Sequence, residues 1–406
     1  MRRRVFLKGV AGISAGAVFF NSKRLGAFQP PQPGKPPLSN REARVSLAGV
    51  PKGASEETFK SAVREAALAA SDFSWLSRGG SVFIKPALNS GKPYPSTTSP
   101  LAIAAMIGLL KEKGASRVIV GDMSGIEFVK LSPDSLSGST RKLMETSGMT
   151  AAVQAAGGEI HFFEEGGWKA FYEDSMVTGT NWKGGLMMPN ILKEVDHIIL
   201  MPRCSRHILA GATLGLKAAV GYWRTDTRLE YHRDAATLQE KTAEANTART
   251  LLGKQRLVIS AADKILTTFG PNDGYVHQPE IGLMIASESV VAHDMVSLAW
   301  LLENRHHIPP DQKGRFVDNS PTITWLANYW VVHKLGGLKP TLVADRLIKN
   351  DLKTIWDDRV LNRAYHIFNG APKVVIREAN GNLPEDLKKL LSAMTMGGQP
   401  PKQAPP

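Results

Sequence analysis

The sequence predicts an α/β protein, a mostly parallel sheet flanked by helices, and three observations carry that expectation. Strand-like apolar runs and longer helical runs take turns along the chain, as they do in βαβ units. The helical runs open and close on residues that cap helices. With 43% hydrophobic and 21% charged residues, a chain of 406 residues can bury one large core or two modest ones.

Taken in order, "ARVSLAGV" (43–50) reads as the first strand. "SEETFKSAVREAALAASD" (55–72) then reads as a helix, with Ser55 placed to cap it and Glu56 and Glu57 in its first turn. "SVFIKP" (81–86) is a buried strand closed by proline. "SPLAIAAMIGLLKEKG" (99–114) is a helix in which Ser99 caps, Pro100 takes the first position and Gly114 suits a left-handed end. "SRVIVGD" (116–122) is the next strand, and this alternation implies right-handed crossovers in a parallel sheet. Later strands are expected at "GEIHFF", "DHIILMP", "RLVISAAD" and "GLMIAS", with helices near 235–252, 290–303, 321–334 and 351–364. The glycine-rich stretch 125–195 is less regular and suits an inserted subdomain. A single α/β domain is thus expected over 41–380, between a proline-rich linker at 28–40 and a disordered tail at 381–406.

The formal charge is +13, but Arg2, Arg3, Arg4, Lys8, Lys23 and Arg24 all precede the first acid, Glu42, and without them the balance is +7. No stripe of basic residues interleaved with aromatics follows, so nucleic acid is not an expected partner. A moderately basic body favours anions. The start, "MRRRVFLKGVAGISAGAVFF", joins a basic segment to an apolar stretch too short to span a bilayer, the form of an export signal. Arg3 and Arg4 followed by Val5, Phe6, Leu7 and Lys8 resemble the twin-arginine pattern. The expectation is delivery to the periplasm with the twin-arginine translocase as transport partner, or retention as a membrane anchor if residues 1–27 are not cleaved. Cys204 is the one cysteine, which excludes an internal disulfide and an iron–sulfur cluster held by this chain's own thiolates.

Ligands of open parallel sheets gather beyond the carboxyl ends of the strands. Those ends carry Lys85 and Asn89, Asp122 and Ser124, Arg203, Arg206 and His207, Asp263, and then His293 and Asp294. The densest stretch is "RCSRHILAGATLGLKAAVGYW" (203–223), which sets cations beside a run of Gly, Ala and Thr that allows close backbone approach. The motifs "IKPALN", "TTSP", "VIVGDMSG", "MPRCSRHILAGATLGLKAAVG", "EYHRD", "TTFGPNDG" and "MIASESVVAHDMVS" follow in the order seen in the uncharacterised family DUF362. The resemblance runs from about 80 to 300 and is most specific at His207, Thr213, Leu214, Leu216, Lys217 and Gly221. Members often carry ferredoxin-type cysteine motifs, absent here, which argues against direct electron transfer by this chain, and because the family has no settled activity the resemblance implies where a site lies rather than its reaction.

The residue types suit an anion. Lys85, Asn89, Asp122, Arg206, Thr213 and Lys217 are the expected binding residues, with His207 or His293 as acid or base and Asp294 orienting one of them. "GATLGLK" lacks the spacing of a phosphate loop or a dinucleotide fingerprint. If a cofactor is held, a divalent metal on His207, His232, His293 and Asp294 is the class these side chains suit. Two functions stay open: an exported enzyme acting on a small anionic molecule, and a non-catalytic periplasmic ligand-binding or accessory protein serving a redox partner.

Overall fold

The computed structural model describes residues 38–313, 320–350 and 352–396. The expected export signal, nearly all of the proline-rich linker and the last ten residues lie outside the described residues.

Strand β1 (Leu38–Pro51) leads into helix α1 (Glu56–Ala70), whose first turn is capped by the Ser55 hydroxyl accepting from Thr58 N. Strand β2 (Ser81–Pro86), helix α2 (Pro100–Glu112, capped by Ser99) and strand β3 (Arg117–Asp122) complete the expected unit, with Gly114 at φ +104° just beyond α2. The stretch 125–195 adds strand β4 (Glu159–Phe162) to the main sheet. It also forms two small hairpins, Lys130–Leu131 with Leu136–Ser137 and Phe171–Asp174 with Leu186–Pro189. Strand β5 (His197–Met201) is followed after Pro202 by a hairpin of β6 (Arg203–His207) and β7 (Gly211–Thr213). The short helix α3 (Gly215–Ala218) and helix α4 (Thr225–Arg233) come next. The helix expected near 235–252 is instead broken into α5 (Leu238–Glu244), a 3-10 turn (Ala245–Thr247) and α6 (Arg249–Lys254). The long strand β8 (Gln255–Leu266), strand β9 (Ile281–Ser287) and helix α7 (Val290–His306) then return to the expected order.

The principal sheet runs β10–β1–β9–β8–β5–β2–β3–β4, where β10 is Ala371–Glu378. Along this path β9 alone runs against its neighbours, so the sheet is mostly parallel. Side chains alternate between its faces, as the pleat requires. On one face Val82, Ile84, Val120 and Ile259 meet Ala62, Val63, Ile103 and Ile107 of α1 and α2. On the other, Val45, Leu47, Val258 and Leu283 meet α7 through Met295 and Leu298, together with Leu361 and Leu391.

Helix α8 spans Pro321–Gly336. The helix expected at 351–364 begins later, as α9 (Arg359–Ile367), because the Asp358 carboxylate accepts from Leu361 N at 2.7 Å and so fixes the start there. The tail is also corrected: Glu385–Thr395 forms helix α10, not a disordered segment. Leu387, Leu391 and Met394 recur at helical spacing and dock on the same core as α7, and that burial offsets the ordering entropy. Among the described residues no helix is long and apolar enough to cross a membrane.

Candidate functional site

Register brings the first two charged residues together. Pairing Ile84 with Val120 sets Lys85 and Asp122 at the carboxyl ends of adjacent parallel strands. Lys85 Nζ lies 2.9 Å from Asp122 Oδ1 and donates to the Pro86 carbonyl at 2.7 Å. Asp122 also accepts from Met123 N at 2.8 Å and Leu88 N at 2.9 Å, so one carboxylate ties both strand exits to a lysine that is only 1% exposed.

Strand β6 carries the next cations past the edge of the sheet, pairing Arg203 with Ala261 of β8. The Arg203 side chain is 1% exposed, and its Nη1 donates to the carbonyls of Pro271, at 2.6 Å, and Ser96. These bonds pin the "GPNDG" turn over the strand ends. Asn272 in that turn accepts from Asn89 Nδ2, and its carbonyl accepts from Ser96 Oγ at 3.0 Å. Arg206 folds back on its own hairpin, donating to the carbonyls of His207 and Gly211. His207 Nδ1 accepts from Leu209 N at 3.1 Å and Ala210 N at 3.3 Å, which places the ring proton on Nε2. Thr213 lies across the ladder from Ser205, and neither hydroxyl has a hydrogen-bond partner.

The opposite wall is built by α3, its 3-10 extension (Ala219–Tyr222) and α4. Asp294, from the second turn of α7, accepts from both Gly215 N and Leu216 N at 2.7 Å and so holds the start of α3. His293 donates from Nδ1 to Asp294 at 2.8 Å and meets Ser260 at 3.0 Å through Nε2. Gly221 crosses directly over the Lys85–Asp122 pair, and a Cβ there would stand 2.8 Å from Asp122 Oδ1. The Tyr222 ring lies 5.4 Å below Lys85 Nζ. Arg228 of α4 donates to the carbonyls of Ser124, Met123 and Gly221 at 2.7, 2.8 and 3.0 Å.

The electrostatics of this wall are lopsided. Lys217 of α3 makes no hydrogen bond or ion pair among the described residues, and neither Arg203 nor Arg228 reaches a carboxylate at ion-pair distance. Burial, followed by the charges of Arg203, Arg228 and Lys85, lowers the Lys217 ammonium to about 7. Burial lowers Arg203 to about 9 and Arg228 to about 10, the latter against the pull of Asp122 and Glu164. Lys85 is lowered by burial in spite of Asp122. His207 is held well below the ordinary histidine value by burial and then by Lys217, Arg203, His232 and Arg206. His232 is held at about 3 by burial, against the bond from its Nδ1 to Asn328 Oδ1 at 2.8 Å. Lys217 and His232 keep part of their surface exposed, so solvent reaches the cluster there. Beside Lys217, Ala212, Leu214, Leu216, Asp294 and Asp358 help line a cavity of about 20 Å³, room for one water.

Of the expected binding residues, Lys85, Asp122, Thr213 and Lys217 surround this cluster, while Arg206 braces the hairpin and Asn89 holds the covering turn. His293 is fully buried with both ring nitrogens engaged, and Asp294 spends both oxygens on α3, so these two position the site rather than face a ligand. The expected metal set of His207, His232, His293 and Asp294 is not assembled: among the described residues no three His, Cys, Asp or Glu side chains converge for a metal. The reason is local: two backbone amides donate to His207 Nδ1 and leave its Nε2 protonated, Ser260 meets His293 Nε2, and both Asp294 oxygens accept from α3, so of the four only His232 keeps a ring nitrogen open. Cys204 is buried, donates to the Ser297 carbonyl at 3.3 Å, and has its thiol pushed up by burial and by Asp294, so the neighbouring cations do not activate it. Arg228 was not among the residues expected from the sequence. It sits in a polar helix whose spacing gives no sign that it turns inward.

A family model described as "Domain of unknown function (DUF362)" matches residues 82–299, more than half of the chain. No curated protein sequence matches. Among solved structures, a crystal structure of a Thermotoga maritima protein is 11% identical with a TM-score of 0.42, over 63% of this chain and 59% of that one. The lactate racemase apoprotein from Thermoanaerobacterium thermosaccharolyticum is 11% identical with a TM-score of 0.41, over 87% and 86%.

Proposed function

The chain belongs to the DUF362 family, a domain of unknown function, and on that premise we propose that the carboxyl edge of its sheet binds a small anionic molecule between β6, α3 and α4. One observation carries this reading: Arg203, Lys217 and Arg228 form a desolvated cationic cluster in which Asp122 is already committed to Lys85. Unpaired charges withdrawn from water are destabilising, and a carboxylate or phosphate would relieve several at once. The partnerless Arg203 Nε, Ser205 Oγ, Thr213 Oγ1 and Tyr222 hydroxyl add hydrogen-bonding capacity nearby. His207 Nε2–H is a further donor in the same charge field.

A second reading, a non-catalytic ligand-binding or accessory protein, is favoured by the imidazoles. His207 and His232 are both held neutral far from the range of a useful general base, and His293 is enclosed. Calorimetric titration of the full chain with malonate and with phosphate, against chloride at equal ionic strength, tests the common core of both readings. Saturable binding is expected, weakened about tenfold or more in Arg203→Gln and in Lys217→Met. Binding no stronger than that of chloride, or equal binding by both variants, would overturn the anion site. Turnover of an anion bound this way decides for the enzyme.

A further inference from the structure

Lys217 has a property that anion binding alone does not use. It stands on a helix whose start is clamped by Asp294, it has no partner among the described residues, and part of its surface meets solvent. Two guanidiniums and a second lysine hold positive charge around it, while the two acids that line the cavity beside it are engaged elsewhere, Asp294 by Gly215 N and Leu216 N and Asp358 by Leu361 N and Asn350. A lysine amine placed among other cations in a desolvated setting keeps its lone pair near neutral pH and becomes a nucleophile for carbonyl carbon. Resting on the anion-site reading, we propose that the Lys217 amine condenses with the carbonyl of a small oxo acid whose carboxylate is held by the Arg203 guanidinium.

The step balances without any oxidant or reductant. The Nζ lone pair forms a bond to the carbonyl carbon, and the C=O π pair moves onto oxygen. Proton transfer gives the carbinolamine, with His207 Nε2–H as hydrogen-bond donor to the oxygen. The C–O bond then breaks, the nitrogen pair closes C=N, and oxygen leaves as water with both amine hydrogens. The imine takes its proton from solvent and becomes the electron-withdrawing centre of the site. A bound carboxylate favours the ammonium, so attack draws on the fraction of Lys217 that stays unprotonated when the acid is bound, a fraction that grows as pH rises.

The test is reductive trapping of the full chain with glyoxylate or pyruvate and cyanoborohydride at neutral pH, followed by peptide mapping. The expected result is one carboxymethyl or carboxyethyl group per chain on Lys217, forming roughly tenfold or more faster than on surface lysines, whose amines are almost fully protonated. Malonate, which has no reactive carbonyl, is expected to protect Lys217. Lys217→Arg removes the amine, so no other lysine is expected to take a preferential adduct in its place. Labelling of Lys217 no faster than of other lysines, with malonate binding intact, overturns the imine and leaves the anion site standing. Loss of malonate binding by the wild-type chain overturns both.

Discussion

Lys217 couples charge to burial, and on the proposed reading it couples both to a ligand. Its folded value of about 7 lies below the roughly 10.4 of an ordinary lysine, so between those values the unfolded chain holds a proton that the folded chain has shed. Stability from this group therefore rises with pH across that window, and below about 7 the full penalty of the buried ammonium is present. Anion binding has the opposite dependence, because the ligand favours the ammonium. Affinity for malonate is expected to be highest below about pH 7 and to fall as pH rises, by at most about tenfold per unit, with a proton taken up on binding. Calorimetry over a pH series, in buffers of different ionisation enthalpy, reads both quantities. A flat profile with no proton uptake would remove Lys217 from the site.

At the scale of elements, the site depends on a four-residue helix too short to be stable alone. Its first two amides are held by Asp294 from α7, while Gly221 permits the chain beyond it to lie against Lys85 and Asp122. Asp294→Asn keeps the shape but replaces one accepting oxygen by an NH₂ that faces a backbone donor. The expected loss is about 1–3 kcal/mol in urea unfolding, together with weaker malonate binding because Lys217 is displaced. Unchanged stability and affinity would show that α3 does not rely on this carboxylate. The same logic of borrowed support explains α10, which gains its order from the core against which Leu391 packs.

For the whole molecule, the sheet acts as the frame that gathers residues near 85, 122, 203, 217 and 228 on one edge. The export expectation rests on the first residues alone, with Arg3 and Arg4 as its testable feature. Replacing both by lysine is expected to leave the protein in the cytoplasm of its host, measured by fractionation and immunoblot. Delivery unaffected by the double substitution would discard the twin-arginine route.

The sequence by itself determined the elements and their approximate order. Ser55, Ser99 and Pro100 mark helix starts by local hydrogen bonding and fixed φ, and continuous apolar runs mark the buried strands. It also pointed to the strand ends as the candidate site, since Lys85, Asp122 and Lys217 could be picked out by type and position in the chain. What only the tertiary structure decided is which polar groups are already used. Asp294 is consumed by α3, His293 by Asp294 and Ser260, and the Nδ1 of His232 by Asn328, partners from 33 to 96 residues away except for the adjacent Asp294. Arg228 turns inward to three carbonyls that no helical period reveals. Periodicity reports which face of an element is apolar, whereas the balance of buried charge depends on contacts between distant segments.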